Sequence, residues 1–396
     1  MQRALNQPMR LTILPDKVGV VIACILIYAV SALPFVTFRA NRIVQGDARG
    51  LVDALPAGAS YTLIAIILIA AIAAFFRLGI KLKLAASLLA LCTLMIVIGL
   101  AASHLTPADN TYARVSPASG FWLMFAGLAL MVTDTIARLD PKPYVRVLLL
   151  LAALAIPTGI ILSGQWNGLS VMKEYDARAD IFWTEAWRHL QLAIGSLIAA
   201  SAIGIPLGVL CHKVEKLRAG LLNTLNIVQT IPSIALFGLL IGPLGWIAAN
   251  VPGASDMGIR GIGMAPAFVA LFLYSLLPVV SNTVVGLEGV PNSVTDAARG
   301  LGMQSWQRLL KIEFPLALPI ILTGIRIVLV QNIGLATIAA LIGGGGFGVF
   351  VFQGIGQTAM DLVLLGTIPT VILGFTAAIL LDALIESDLF KRGRRS

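Results

Sequence analysis

The sequence is poor in charge: only 12% of its 396 residues are Asp, Glu, Lys or Arg, whereas 58% are apolar. A soluble domain of this length has about a quarter charged residues and fewer than half apolar ones. The composition therefore excludes a soluble globular protein, a disordered protein and a disulfide-stabilised one. At about 20 residues per spanning helix, the apolar residues suffice for roughly ten spans. We predict an all-α polytopic membrane protein.

Cysteine and histidine are scarce. Cys24, Cys92 and Cys211 lie far apart in apolar runs, and the three histidines flank such runs. They form neither a metal-ligand spacing nor a Ser/His/Asp or Cys/His set. No lysine directly follows a glycine, which excludes the ATP-binding P-loop. We expect no metal, no cofactor and no catalysis in this chain, which disfavours a membrane enzyme or assembly factor.

The apolar runs predict ten spans. Their approximate bounds are 18–38, 60–76, 84–103, 120–137, 146–163, 190–211, 220–243, 264–287, 316–340 and 362–384. With the N-terminus in the cytoplasm, nineteen of the 28 Lys and Arg residues fall inside and eight outside. This bias predicts that both termini are cytoplasmic. Since the basic residues are dispersed, the net charge of +9 does not indicate a nucleic-acid partner.

The first apolar run has an alternative interpretation. A basic start followed by Val30-Ser31-Ala32 resembles a cleaved signal peptide. The run of about 20 apolar residues is longer than the 7–15 of such peptides, so we expect it to remain as the first span.

Carboxylates are absent from the middle of the predicted spans. Asp134, Glu288, Asp361 and Asp382 all fall near span ends. An ion-coupled carrier usually needs an acid at mid-depth, so this distribution disfavours a secondary transporter.

The chain divides into four predicted regions. Residues 1–165 form a membrane region of about five helices with no recognisable motif, and 166–189 form an external amphipathic linker. A second set of five helices covers 190–386, and 387–396 are a basic cytoplasmic tail. Gly343 to Gly348 match the dinucleotide pattern G-x-G-x-x-G, but no strand precedes them, so we interpret these glycines as hinge or close-packing positions.

A cytoplasmic loop at 291–315 joins the eighth and ninth spans. Ser293 and Asp296 are expected to cap a short helix, which Gly302 ends before Gln304 or Ser305 starts another. Such a helix docks in the groove of a partner or is a solvated connector; the pattern alone leaves both open.

This loop resembles the EAA loop of ABC-importer permeases. The matching residues are Asp296, Ala297, Ala298, Gly302, Ile312 and Pro315. Asp296 replaces the usual Glu, and Phe314 replaces the usual Leu before the proline. Further segments are similar to the osmoprotectant branch of that family: Thr230 to Ser233, Ala270 to Pro278, Gly324 to Arg326 and Ile333 to Ala340.

The resemblance implies a type I ABC-importer permease core in the second half, located in the bacterial inner membrane. A separate ATP-binding subunit would grip the loop, a periplasmic or lipid-anchored binding protein would deliver the solute, and a second permease subunit, a copy or a sister chain, would complete the pathway. The solute would be glycine betaine, choline, carnitine or proline; another small solute such as methionine is the alternative. Residues 1–165 look like the extension of a long-form subgroup, with no assigned role.

Polar and aromatic positions within the spans are candidates for the pathway or for the seam between permeases. They are Gln229, Phe272, Tyr274, Arg326, Gln331 and Asn332. An Arg inside a span costs about 2.5–3.5 kcal/mol unless it is paired or hydrated. Arg326 would therefore face the pathway or the seam, or bind carbonyls of a helix broken near Pro232. Hinge candidates are Pro232, Pro278, Gly343 and Gly345.

Overall fold

The computed structural model describes residues 15–42, 44–107 and 110–387. The chain splits into two compact units, Met1–Asp176 and Ala177–Ser396. The division falls inside the predicted linker 166–189. The predicted basic tail lies, from residue 388 onward, outside the described residues.

The described residues of the first unit form seven helices: α1 (Lys17–Ala32), α2 (Leu51–Ala54), α3 (Ala57–Phe75), α4 (Ile80–Leu105), α5 (Ser119–Leu139), α6 (Pro143–Leu162) and α7 (Ser170–Asp176). Helices α1, α3, α4 and α5 pack in a ring in which each helix touches two others. Small residues allow this packing: a Cβ at Gly19 would lie 1.8 Å from the Ala74 carbonyl oxygen. Helix α6 buries only Leu150 and Ile160.

A small antiparallel sheet joins two loops of the first unit. Its strands β1 (Val36–Arg39), β2 (Asp47–Arg49) and β3 (Arg114–Pro117) lie in the order β2-β1-β3, with Thr37 opposite Ala48 and Ser116. The sequence predicts only helices and connecting loops here. The strands are three or four residues long. Val36 to Arg39 alternate apolar and polar residues, but this run is too short to establish a period of two, and it begins inside the predicted span 18–38.

Up to residue 387, the second unit has nine α-helices: α8 (Ala179–Lys213), α9 (Glu215–Thr230), α10 (Ser233–Asn250), α11 (Met264–Glu288), α12 (Asn292–Gly300), α13 (Ser305–Arg308), α14 (Phe314–Ala336), α15 (Gly348–Gly356) and α16 (Met360–Ile385). A π-helical turn, Leu309–Glu313, joins α13 to α14, and a 3-10 turn, Ile338–Ile342, follows α14. Helices α8, α11 and α14 pack on one another as the core, and α16 packs on α14 and α15.

Nine helices in the described part of the chain are long and apolar enough to cross a membrane. They coincide in position with nine of the ten predicted spans, although α8 begins earlier than expected, at Ala179. Helix α1 covers only 18–32 of the remaining prediction, 18–38, because the chain is extended at Leu33 and strand β1 begins at Val36. Its 16 residues reach only about 24 Å at 1.5 Å per residue. The predicted polytopic all-α architecture is confirmed.

The predicted span 220–243 is wrong in its bounds. The helix breaks at Ile231, whose backbone is extended (φ −67°, ψ 126°), and the candidate span is Ser233–Asn250. The residue before a proline is pushed out of the helical region, and Pro232 has no N–H to continue the ladder. Pro232, a predicted hinge position, thus lies at a true break, whereas Pro278 lies inside the continuous helix α11.

Candidate functional site

The loop 291–315 folds into two short helices and a π-helical turn. Helix α12 begins at Asn292, with Pro291 in the N-cap position and no side-chain cap hydrogen bond. The predicted cap by Ser293 and Asp296 is therefore wrong. Pro291 fixes the chain just before the helix, so Ser293 lies within the first turn rather than before it.

The end of α12 agrees with the prediction made for Gly302. The N–H of Gly302 donates to the Arg299 carbonyl at 2.9 Å, and the N–H of Met303 donates to the Ala298 carbonyl at 3.1 Å. Gly302 adopts φ +80°, a conformation that favours glycine at a helix C-terminus. No heavy atom lies within 4 Å of the position that its Cβ would take, so its surroundings are open.

The two alanines of the loop do not share a face. Ala298 is buried, while Ala297 and Asp296 are exposed, and Arg299 pairs with Asp296 at 3.6 Å. Ala297 and Asp296 therefore lie on the exposed surface of α12, and Ala298 lies on the buried side, by which the helix packs on the rest of the unit.

Two large apolar side chains are exposed beside α12. Leu301 is 84% and Trp306 62% exposed. Helix α13 begins with a reciprocal capping box between Gln304 and Gln307, which confirms the predicted second helix start. The Lys213 ammonium lies 6.0 Å from the centre of the Trp306 ring, within cation–π range. We call Asp296, Ala297, Leu301, Gly302 and Trp306 the loop surface.

The loop is firmly attached to the core of the second unit. Leu309 is buried with Leu287, Ala317 and Ile321. The π-helical turn brings residues five apart together, and the Arg308 Nε donates to the Glu313 carboxylate at 2.6 Å. Ile312 is half-buried and Pro315 is exposed at the start of α14. The loop is thus in direct contact with α11 and α14.

The helix break at Pro232 is held against α11. The Gln229 amide donates to the Tyr274 carbonyl at 2.7 Å, and the Tyr274 hydroxyl donates to the Ile231 carbonyl. These bonds satisfy polar groups that the break would otherwise leave unpaired in an apolar region. Gln229 and Tyr274, two of the predicted pathway residues, therefore contact each other and hold the broken helix against α11.

A second polar contact lies in the centre of the core. The fully buried Asn332 amide donates at 2.9 Å to the hydroxyls of Ser196 on α8 and Ser275 on α11. Asn332 thus links the three core helices. Its neighbour Gln331 is half-buried, and Phe272 packs in a cluster with Leu225 and Leu276.

Arg326 is ion-paired with Asp382, which joins α14 to α16. The alternative that Arg326 binds carbonyls of the broken helix is not seen, because Tyr274 bonds the Ile231 carbonyl. Arg326 is near the midpoint of α14 and Asp382 is in the last turn of α16. Since helical side chains point toward the N-terminus, the pair lies nearer the predicted cytoplasmic end than the mid-bilayer depth expected from sequence. Gly324 in the same segment packs on Asn282 of α11, where a Cβ would lie 2.7 Å from that side chain.

The glycine run after α14 is anchored to α8 by two residues that sequence reasoning did not single out. The Gly346 N–H donates to the buried Glu185 carboxylate at 2.6 Å, and the Phe347 N–H donates to His189 Nδ1 at 3.3 Å. Gly343 and Gly345 have φ of +76° and +79°, so both predicted hinge positions require glycine. The sequence signal for this contact is weak: Glu185 and His189 are four residues apart, so they lie on one face of α8.

The ion pairs of the first unit lie near the ends of its helices. Asp16, before α1, accepts from Lys83 Nζ at 2.9 Å and from Arg138 Nη1 at 3.0 Å. Burial opposes ionisation of this carboxyl, but the two hydrogen bonds outweigh burial and hold the pKa of Asp16 below its usual value. Beside the sheet, buried Glu174 pairs with Arg42 at 3.6 Å and with Arg114 at 3.8 Å. Among the described residues, no group of His, Cys, Asp and Glu could hold a metal ion.

Comparisons with known families match the two units separately. Residues 16–172 match the N-terminal domain of the ABC transporter permease YehY. Residues 200–387 match the inner membrane component of binding-protein-dependent transport systems.

Curated relatives match the second half of the chain. The osmoprotectant import permease protein OsmW of Salmonella typhimurium is 42% identical over 200 residues, which cover 50% of this chain and 86% of that protein. The glycine betaine/carnitine/choline transport system permease protein OpuCB of Bacillus subtilis is 35% identical over 194 residues, 49% of this chain and 80% of that protein. The inward-facing MetNI methionine ABC transporter shows a weak structural likeness, with a TM-score of 0.47 and 23% identity over 53% of this chain and 96% of that one.

Proposed function

The chain belongs to the family of inner membrane permease subunits of ABC importers, and we propose that it moves glycine betaine or a related quaternary ammonium solute into the cell. It is a multi-pass protein of the bacterial inner membrane, in a long form with an added N-terminal region. A permease of this family works with an ATP-binding subunit and a substrate-binding protein.

The observation that carries the proposal is the loop surface. A helix pair that exposes Leu301 and Trp306 to solvent, yet fixes Leu309 and Glu313 in the core, is suited to receive movement from a partner. Exposed apolar and aromatic side chains next to low-relief positions such as Ala297 are typical anchors for a groove. We propose that the ATP-binding subunit docks here and that its closure moves α14 and α11 between two states.

The choice of solute rests on relatives. OsmW is an osmoprotectant permease by name, and OpuCB is a glycine betaine, carnitine and choline permease. Their match lies in the second unit, where Asn332, Gln229 and Arg326 bond groups of neighbouring helices. We propose that a second permease subunit, a copy of this chain or a sister chain, completes the pathway.

The test is uptake of labelled glycine betaine by cells that express the whole transporter. Gly302→Asp should reduce uptake at least about ten-fold, because it adds a charge to the docking face and a side chain at positive φ. The matched control is Gly258→Asp, a second exposed glycine with φ +81° and open space at its Cβ position, in the predicted external loop. Both variants must reach the membrane in equal amounts.

The outcomes distinguish an error in the role of the loop from an error in the identity of the solute. Equal uptake by Gly302→Asp and the control would mean that the loop is only a connector. Absence of glycine betaine uptake in the unsubstituted transporter would reject that solute, and choline, carnitine, proline and methionine would be offered next.

A further inference from the structure

An ion pair lies within two membrane spans and is partly open to its surroundings. Arg326 of α14 and Asp382 of α16 keep 31% and 35% of their side chains exposed. In the described part of the chain the structure gives Arg326 no partner other than Asp382. A guanidinium has five N–H donors, so the pair with Asp382 leaves Arg326 donors available for a further partner.

The pair differs from the buried ion pairs of this chain. Lys83 and Asp16 keep only 8% and 12% of their side chains exposed, and Lys83 also donates to the Ala74 carbonyl at 3.2 Å. Open donors in a span are tolerated where they meet water or another polar group rather than lipid.

The chemistry of the open side suits a zwitterion. A guanidinium binds a carboxylate with two parallel hydrogen bonds, and a carboxylate attracts a cation that has no N–H to donate. Phe375 lies seven residues before Asp382, two helical turns along the same face of α16, and is exposed. Its ring can face a quaternary ammonium.

We propose that Arg326, Asp382 and Phe375 form a low-affinity site for zwitterionic solutes in the inner half of the pathway. Arg326 binds the carboxylate of the solute and Asp382 attracts its ammonium group, while Phe375, about 10 Å farther along α16, offers its ring to the ammonium group as the solute approaches. This inference rests on the proposed function. The nearness of the pair to the predicted cytoplasmic end of α16 makes this a site that the solute meets before release.

The first test compares two solutes that differ by one charge. Glycine betaine carries a carboxylate and choline does not, so Arg326→Gln should lower the uptake of glycine betaine at least about ten-fold and that of choline less than about two-fold. Asp382→Asn should lower the uptake of both. Arg326→Lys should recover part of the glycine betaine uptake, since it keeps the charge but loses the planar fork.

The matched control is Arg218→Gln. Arg218 pairs with Glu288 between α9 and α11, with 35% and 41% of the side chains exposed, outside the proposed site. It should change the uptake of both solutes to the same small extent. If Arg326→Gln lowers both solutes equally and the exchanged pair Arg326→Asp/Asp382→Arg restores both, the pair is only a helix contact and the proposal is overturned.

The second test does not depend on uptake of either solute. In a chain with Cys24, Cys92 and Cys211 replaced by Ala, Ala378→Cys should react with a water-soluble thiol reagent bearing a trimethylammonium group. Ala378 lies between Phe375 and Asp382 on the same face of α16, so this variant keeps the residues of the site. Millimolar glycine betaine should slow the reaction. Leu380→Cys is the control, because Leu380 is exposed on the opposite face of α16 and should not react.

The two failures are distinguishable. A transporter that takes up neither solute rejects the proposed function. An Ala378→Cys variant that stays unmodified, or that glycine betaine does not protect, rejects the site itself.

Discussion

The two units of the chain differ in what the polar side chains along their helices bond. In the first unit the ion pairs of Asp16 and Glu174 lie at helix ends and beside the sheet. The buried hydroxyls of Ser60, Ser87 and Thr135 each bond a carbonyl of their own helix.

In the second unit Asn332, Gln229 and Arg326 bond groups of neighbouring helices. Such side chains can exchange partners when helices move, whereas hydroxyls bonded within their own helix link nothing. We therefore expect the first unit to be a support and the second to hold the pathway.

The largest effect is expected from opening the ion cluster of the first unit. Lys83→Met leaves the buried Asp16 carboxylate with Arg138 alone and should lower the free energy of unfolding of this unit by about 3 kcal/mol. Hydrogen exchange of the whole chain should rise in peptides of α1, α3 and α4. Lys81→Met, an exposed lysine of the same helix, is the control.

Uptake by the Lys83→Met variant provides a second test of the same comparison. If the first unit is a support, Lys83→Met should reduce uptake only as far as it reduces the amount of protein in the membrane. A loss of uptake per molecule, with peptides of the second unit unchanged in exchange, would contradict the comparison.

Much of the fold follows from the sequence because a bilayer constrains it strongly. Every spanning backbone must satisfy its own hydrogen bonds, so a long apolar run predicts a helix. The break at Ile231 was missed because proline is tolerated inside membrane helices, and Pro278 and Pro232 look alike in sequence. The sheet was missed because its strands are too short to show a period.

The loop was more predictable than the pathway. Gly302 and Gln304 act locally, through a positive φ and a cap, so their roles can be inferred from neighbouring residues. The partner of Arg326 and the contact of Glu185 with Gly346, 161 residues apart, depend on tertiary packing. No local pattern encodes which distant residue a side chain will meet.

A smaller effect is expected in the core of the second unit. Asn332→Ala removes the bonds to Ser196 and Ser275 and leaves a small cavity, at a cost of about 2 kcal/mol. Uptake per molecule should fall, because α8, α11 and α14 lose their common link. Thr370→Val is the control, since that hydroxyl bonds only the Gly366 carbonyl of its own helix. Unchanged thermal unfolding and uptake in Asn332→Ala would show that apolar packing alone holds these helices.

The smallest effect is the acid sensitivity of the first unit. The pKa of Asp16 is lower in the folded chain than the usual value of 3.8. The folded state therefore gains stability from this carboxylate above that usual value and loses it as the pH falls toward the lowered pKa. Between pH 5 and pH 3, hydrogen exchange in α1 and α4 peptides, corrected for its intrinsic pH dependence, should rise more than in α11 and α14 peptides. Asp16→Asn should remove most of this difference; if the difference persists, another carboxyl group of the first unit is responsible, and its ion cluster is not what ties stability to pH.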